Sequence, residues 1–336
     1  MKKNINYHEN PNIILAGPGT GKTFTLVEKI VGLQNDLIDK SIGIIVCTFT
    51  KKATDEIQNR ISEKIDINNQ SILVGDIHQI SLKLLKDFLP EKYEKYNVID
   101  DAQQVNFIFQ KRNNLNFNDE LHKSKQGVWN WARDAQEVFN KFTDRKLDLK
   151  SKKNEMSEKL FDISEMYKIY LALLHRENLF DFATIQSTFL KELQSNELLL
   201  KNIQDNYSYF FIDEFQDVSD IQYEIFKLLS NKSKFITVVG DDDQSIYGFR
   251  GANLNNFINF KTDFSSNKVT EDELKINYRS TSNLVNFFNQ VRPSNDIDKY
   301  VKEDLVPNEK NMGSLPIFKK FNNDVDEGKF IAEQID

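Results

Sequence analysis

The stretch "NIILAGPGTGKT", Asn12 to Thr23, limits what this chain can fold into more than any other. Asn12 to Gly17 is a short apolar run ending in glycine, the pattern of a strand buried in a parallel sheet. "KTFTLVEKIVGLQ" follows with helical spacing, which puts Leu26, Ile30 and Leu33 on one face. A buried strand, a Gly-rich turn and a helix form the setting of the phosphate-binding loop G-x-x-x-x-G-K-[ST]. Here the octet reads Ala16, Gly17, Pro18, Gly19, Thr20, Gly21, Lys22, Thr23, so Ala16 replaces the usual first glycine. Glycines let backbone N–H groups turn inward and approach an anion closely. Lys22 is the candidate to reach β- and γ-phosphates, and the Thr23 hydroxyl is the candidate Mg²⁺ ligand. The competing reading is a strand-to-helix turn that holds no ligand.

"FFIDEFQD" supplies a partner, because the apolar residues Phe210 to Ile212 end in Asp213 and Glu214. In a P-loop nucleotide hydrolase an acidic residue at a strand end holds Mg²⁺. A second carboxylate beside it can orient and deprotonate the attacking water. Two carboxylates at the end of a buried strand cost desolvation energy, which a metal ion offsets. Read alone, the same turn is equally well a solvated acidic surface. Further on, "VVGDDDQSIYGFRGA" puts Gln244 just past a strand end. A neutral amide there can hydrogen-bond a γ-phosphate or its attacking water. Tyr247, Phe249 and Arg250 follow, an aromatic and cationic group suited to stacking on bases. Core aromatics beside a surface arginine remain the alternative.

The rest of the chain has the same alternation. "IGIIVCTFT" reads as a second buried strand and "KKATDEIQNRISEKI" as an amphipathic helix. "SILVGDIHQISLKLLKDFL" reads as a strand, a loop and a helix stopped by Pro90. Residues 91–177 are polar and helical in pattern, an insertion after which strand–helix alternation resumes. Near the end "LPIFKKF" alternates like a strand and "DVDEGKFIAEQI" reads as a helix. No run of 18 apolar residues is present and the N-terminus lacks an apolar signal core, so no membrane contact is expected and the cytoplasm is the default location. The single cysteine, Cys47, excludes an intrachain disulfide. A net charge of -7 argues against a nucleic-acid partner on charge alone. Residues 110–160 lean the other way, with twelve Lys/Arg against eight Asp/Glu around Trp129 and Trp131. A solvated helical face is the plain reading of that excess.

Taken in order, "AGPGTGKT", "TFTKKATDEIQNRI", "IDEFQD", "VVGDDDQSIYGFRGA" and "INYRS" resemble the UvrD/Rep-type superfamily 1 DNA helicases. The resemblance covers Asn12 to Ser280 and extends weakly to "DEGKFIAEQI". It implies an α/β fold: a RecA-like P-loop lobe (1–90 and 178–275), a helical insertion subdomain (91–177) and the start of a second RecA-like lobe (276–336). It implies ATP and Mg²⁺ as cofactors, ATP hydrolysis between two motor lobes, and 3′→5′ translocation on single-stranded DNA with unwinding at duplex junctions. Residue by residue, Ala16 to Thr23 match the ATP cradle, Thr23 and Asp213 the magnesium ligands, and Glu214 the catalytic base. Gln244 matches the γ-phosphate sensor, Tyr278 the aromatic on adenine, and Arg279 an arginine reaching the γ-phosphate. Phe49 and Thr50 match residues lining the single-strand track, and Phe249 stands where the family usually has a base-stacking tryptophan. The resemblance also makes the basic, Trp-containing insertion a candidate strand or duplex contact.

Three departures qualify it. No glutamine motif precedes the P-loop, and Asn10 and Asn12 are the candidates to stand in for it. "GDIHQ" replaces a Thr-Phe-His-Ser type strand contact, so only His78 matches, and a capping or surface histidine is the alternative. The tail offers one helix, one strand and one more helix where the family has a whole lobe with a second arginine finger. The chain is therefore expected to be a fragment, or to be completed by another chain, and to bind ATP while hydrolysing it poorly. The rival function is an ATP-sensing subunit docked on a nuclease or other effector. A P-loop kinase is a weaker rival, since it has no use for "VVGDDDQSIYGFRGA".

Overall fold

The computed structural model describes residues 11–33, 43–65, 72–115, 128–144, 158–231, 233, 235–245, 253, 255–264, 268–291, 303–308 and 312–335. The chain divides into two compact units, Met1–Ala16 with Lys22–Glu273 and Gly17–Gly21 with Leu274–Asp336.

In the first unit, β1 (Asn12–Ala16), β2 (Gly43–Thr48) and β5 (Phe235–Gly240) are buried at every residue, and β4 (Tyr207–Ile212) at its last four. Continuous apolar runs of this kind suit strands covered on both faces. They form a sheet of order β3-β2-β4-β5-β1-β6, with β3 (Ile72–Asp76) and β6 (Thr270–Leu274) at its edges. The pairs β1/β5, β5/β4, β4/β2 and β2/β3 are all parallel. Their carboxyl ends therefore share one edge, which is where open α/β sheets place their sites. α1 (Lys22–Gly32) buries Leu26 and Ile30 completely, as its spacing predicts, and Leu33 just beyond it is buried too. Asn12, buried at the start of β1, has partners on both amide atoms. Its Nδ2 donates to Thr270 Oγ1 at 2.9 Å and Asp272 Oδ2 at 3.1 Å, and its Oδ1 accepts from the buried Lys29 at 3.1 Å. These bonds turn its amide into the fold, and Asn10 lies outside the described residues.

Thr50 is the N-cap of α2 (Lys51–Ser62). α3 (Ile77–Phe88) begins directly after β3, with no loop between. The reason is a capping box: Asp76 accepts the Gln79 N–H at 2.9 Å while the Gln79 side chain accepts the Asp76 N–H at 3.2 Å. Pro90 lies past the end of α3 and opens the short helix Pro90–Tyr93, where its missing N–H costs nothing.

The polar stretch after it is helical, as expected: α4 (Asp101–Gln110), α5 (Val128–Asp144) and α6 (Glu158–Arg176). They share a core of Val105, Ile108, Trp131, Phe139, Tyr170 and Leu174, among others. Trp131 is thus a core residue, while the half-exposed Trp129 packs on Phe109. Two-residue strands, Asn97–Val98 and Leu179–Phe180, pair in parallel where the insertion leaves and returns. Beside them the buried Asp181 caps α7 (Phe182–Ser195), accepting the Thr184 N–H at 2.7 Å. It also accepts from Gln104 Nε2 at 3.0 Å and from the Tyr170 hydroxyl. Burial pushes this carboxyl above the usual carboxylate range, while the Tyr170 hydrogen bond works against that rise. α8 (Glu197–Asn206), α9 (Asp220–Ser230) and α10 (Asn255–Asp263) complete the described helices of this unit.

In the second unit, Ile276–Asn277 pairs in parallel with Val306–Pro307, and the helices are α11 (Ser282–Val291) and α12 (Asp324–Ile335). "LPIFKKF" forms no strand. Leu315, Ile317 and Phe318 are 75%, 78% and 93% exposed, and alternation without a neighbouring strand to take up its N–H and C=O groups does not make one.

Candidate active site

β4 ends at Ile212, and Asp213 continues its ladder by donating its N–H to Cys47 O at 2.9 Å. The chain then turns sharply. Glu214 sits in the left-handed region, with φ 48 and ψ 47. A non-glycine residue there costs on the order of 1 kcal/mol or more. The turn sets the Glu214 carboxylate against the first residue of α1: its Oε2 accepts from Lys22 Nζ at 2.8 Å. The same oxygen accepts from Gln216 Nε2 at 2.8 Å. Burial, then the neighbouring Glu214 charge, raises the Asp213 carboxyl to about 6, against the pull of Lys22. Lys22, Asp213 and Glu214 thus form one electrostatic group, as the sequence pattern anticipates. Thr23 follows Lys22 in the first turn of α1.

The end of β5 adds the candidate sensor. Gln244 lies in a single turn of 3₁₀ helix, Asp242–Gln244, and its Nε2 donates to Asp241 Oδ2 at 2.6 Å. Asp241 in turn donates its N–H to Gln216 Oε1 at 3.0 Å. Gln216 was not among the residues that the sequence pattern singles out. The only signal for it was an amide two places after Glu214 in "DEFQD".

In the second unit the P-loop glycines take the conformations their type allows, with φ 72 at Gly19 and φ 85 at Gly21. A Cβ at Gly19 would also lie 2.8 Å from the Arg279 Cβ. Thr20 Oγ1 donates to Gly17 O at 2.8 Å. Asn277 organises the segment that carries Tyr278 and Arg279. Its Oδ1 accepts the Arg279 and Ser280 N–H groups at 2.9 and 2.8 Å, and its Nδ2 donates to Pro18 O at 2.8 Å. Tyr278 donates its N–H to Gly19 O at 2.8 Å and is 57% exposed.

Phe49, Thr50 and His78 stand at the ends of β2 and β3. Thr50 is exposed, but its hydroxyl caps α2 by accepting the Ala53 N–H at 3.2 Å. His78 is held from the return segment of the insertion: its Nδ1 is 2.9 Å from Phe182 O, and Gln186 Nε2 is 3.0 Å from the same nitrogen. Burial lowers its pKa. Phe49 and His78 line a cavity of about 260 Å³ with Phe182, Gln186, Asp213 and Asp217. Tyr247, Phe249 and Arg250 lie outside the described residues.

Asp217 gives this region a pH signature. Burial and then Glu214 raise its carboxyl from 3.8 to about 6. A raised folded-state value means that the contribution to stability is full below about 3.8 and is lost as pH rises through about 6. Asp217→Asn, neutral throughout, should therefore gain on the wild-type chain between about pH 4 and 7, by at most about 3 kcal/mol. Urea midpoints across that range measure it, and a difference independent of pH would refute it.

The sequence profile described as the UvrD/REP helicase N-terminal domain matches residues 1–265. DNA helicase II of Haemophilus influenzae is 31% identical over 333 residues, covering 96% of this chain and 44% of the relative. The ATP-dependent DNA helicase PcrA of Leuconostoc citreum is 30% identical over 334 residues, covering 97% and 42%. The ATP-dependent DNA helicase Rep of Buchnera aphidicola subsp. Baizongia pistaciae is 30% identical over 342 residues, covering 100% and 48%. The chain spans under half the length of each of these relatives.

Proposed function

Because the chain belongs to the UvrD/REP helicase N-terminal domain family, we propose that it binds and hydrolyses ATP as part of a DNA helicase or translocase. The observation that carries this reading is the group at the shared strand ends: Lys22 paired with Glu214, Asp213 beside them, and Gln244 held by Asp241. Relatives are named as ATP-dependent DNA helicases, which supports DNA as the partner. The polarity we assign is 3′→5′ on single-stranded DNA, with duplex junctions as the site of unwinding.

Lys22 is assigned to the β- and γ-phosphates, as a point charge within the cradle of Gly17 to Thr23. Glu214 is the general base. Its Oε2 already takes two hydrogen bonds, so Oε1 is the oxygen assigned to accept the proton of the attacking water. Gln244 is assigned to the γ-phosphate, Tyr278 to adenine and Arg279 to the γ-phosphate. The donors suit Mg²⁺: Asp213 is a buried carboxylate whose charge wants neutralising, and Thr23 offers a hydroxyl. When bound, that ion would neutralise charge on the phosphates. Phe49, Thr50, His78, Tyr247, Phe249 and Arg250 are assigned to the DNA strand. Asn12 has no part in reading the base, given its commitment to Thr270, Asp272 and Lys29.

The test is ATP hydrolysis by this chain with and without an oligo-dT strand. Hydrolysis that rises with the strand is expected. A rate indifferent to DNA would remove the DNA reading, and failure to bind ATP would remove the whole proposal. Displacement of a labelled strand, as opposed to a change in affinity for a partner protein, separates a motor from an ATP sensor.

A further inference from the structure

We propose that Gln216 is a positioning residue: it holds the Glu214 carboxylate in place and ties it to the strand end that carries Gln244. The inference rests on the reading of Glu214 as the base. Gln216 is 2% exposed, so its amide is almost wholly removed from water. A buried amide is costly unless both ends are satisfied. Here they are satisfied by opposite partners. Nε2 donates to Glu214 Oε2 at 2.8 Å, and Oε1 accepts the Asp241 N–H at 3.0 Å. A carboxylate can only accept and a main-chain N–H can only donate, so the orientation of the amide follows from the network itself. Only glutamine meets both demands at this reach. Leucine or methionine would lose both bonds. Glutamate would keep the bond from Asp241 and set a second carboxylate against the first.

The surroundings are shaped to this amide. A Cβ at Gly240 would lie 2.6 Å from Gln216 Oε1, so the glycine closing β5 leaves room for it. Asp241, whose N–H the amide accepts, holds Gln244 Nε2 at 2.6 Å through its own carboxylate. Lys22, Glu214, Gln216, Asp241 and Gln244 therefore form one hydrogen-bonded path from the P-loop lysine to the candidate sensor. Glu214 reaches its position through a left-handed backbone that few glutamates adopt. A carboxylate carried on such a turn needs a fixed partner if Oε1 is to face the water productively.

A double-mutant cycle tests this. Wild type, Gln216→Leu, Glu214→Gln and the double variant are compared in single-turnover hydrolysis of radiolabelled ATP with Mg²⁺ and protein in excess. Binding of a fluorescent ATP analogue is measured in parallel. Gln216→Leu is expected to slow hydrolysis by about 10- to 100-fold, the scale of a catalytic group displaced by an ångström. It should leave analogue affinity within about threefold. On the Glu214→Gln background it should change the residual rate less than about twofold, because a residue acting through Glu214 has nothing left to act on. Gln216→Glu, which keeps the acceptor for Asp241, should be as slow as Gln216→Leu. Rates within about twofold of wild type for both variants would overturn the proposal. So would an equal loss on the Glu214→Gln background, the mark of a structural role, and so would loss of nucleotide binding in both variants. Glu214→Gln hydrolysing at the wild-type rate would overturn the base reading together with this one. Glu214→Gln slow with Gln216→Leu normal would overturn this one alone.

Discussion

Glu214→Gln is expected to hydrolyse ATP about 10²- to 10⁴-fold more slowly than the wild-type chain while binding it at least as tightly. The rate loss is the usual contribution of a positioned general base. The substituted side chain still reaches Gln216, since an amide oxygen accepts from Nε2 as a carboxylate does, so the turn at Phe215–Asp217 should keep its form. Binding should hold or improve for an electrostatic reason. In the structure Lys22 donates to Glu214 at 2.8 Å, and phosphate oxygens have to compete for that ammonium. The pair is partly solvated, with side chains 13% and 33% exposed, so its loss should tighten ATP binding by on the order of 1 kcal/mol at most. The variant also relieves Asp213, whose carboxyl Glu214 helps to raise. Turnover by Glu214→Gln at the wild-type rate in a single-turnover assay would show that another group takes the proton.

Much of the fold was legible because it was written in local patterns. β1, β2, β4 and β5 are largely apolar runs of five or six residues, and β1, β4 and β5 end beside a glycine or an aspartate. The helical face of Leu26, Ile30 and Leu33 is buried as its spacing says. What misled was alternation or polarity taken without its partner. "LPIFKKF" has the period of a strand but no neighbour, and it stays exposed. The stretch "SILVGDIHQISLKLLKDFL" reads as a strand, a loop and a helix. Yet Asp76 and Gln79 close a reciprocal cap and carry strand straight into helix. Pro90, by contrast, does mark the stop: α3 ends at Phe88, just before it, and Pro90 opens a separate short helix.

The site divides along the same line. Lys22, Asp213, Glu214 and Gln244 could be picked out because each stands at a fixed distance from a strand end, and strand ends are visible in a sequence. Gln216, Asp241 and Asn277 could not. Their importance lies in hydrogen bonds across 25 residues, from Gln216 to Asp241, or across 259, from Asn277 to Pro18. His78 matched a family position, but its ring is shared with Phe182 and Gln186, more than a hundred residues away in the chain. No spacing rule reports contacts of that range.

Lys22→Ala should move nucleotide affinity in the direction opposite to Glu214→Gln. Removing a charged donor from a phosphate costs about 2–5 kcal/mol in a partly desolvated site, or roughly 30- to 5,000-fold in Kd. The site also works against an unassisted phosphate. Lys22 is the cation that lowers the Asp213 carboxyl against burial and Glu214, and without it two acids face an incoming anion with their charge uncompensated. Glu214 would keep its bond from Gln216 and lose the one from Lys22, so its carboxylate should remain in place and repel. On the Lys22→Ala background Glu214→Gln should then recover more affinity than it gains on its own, because an uncompensated acid repels the phosphates more than one paired with Lys22. Titration with a fluorescent ATP analogue reads all four members of the cycle. Additive effects would mean that Lys22 and Glu214 do not share one electrostatic site. A lysine variant that binds as the wild type does would place the phosphates elsewhere.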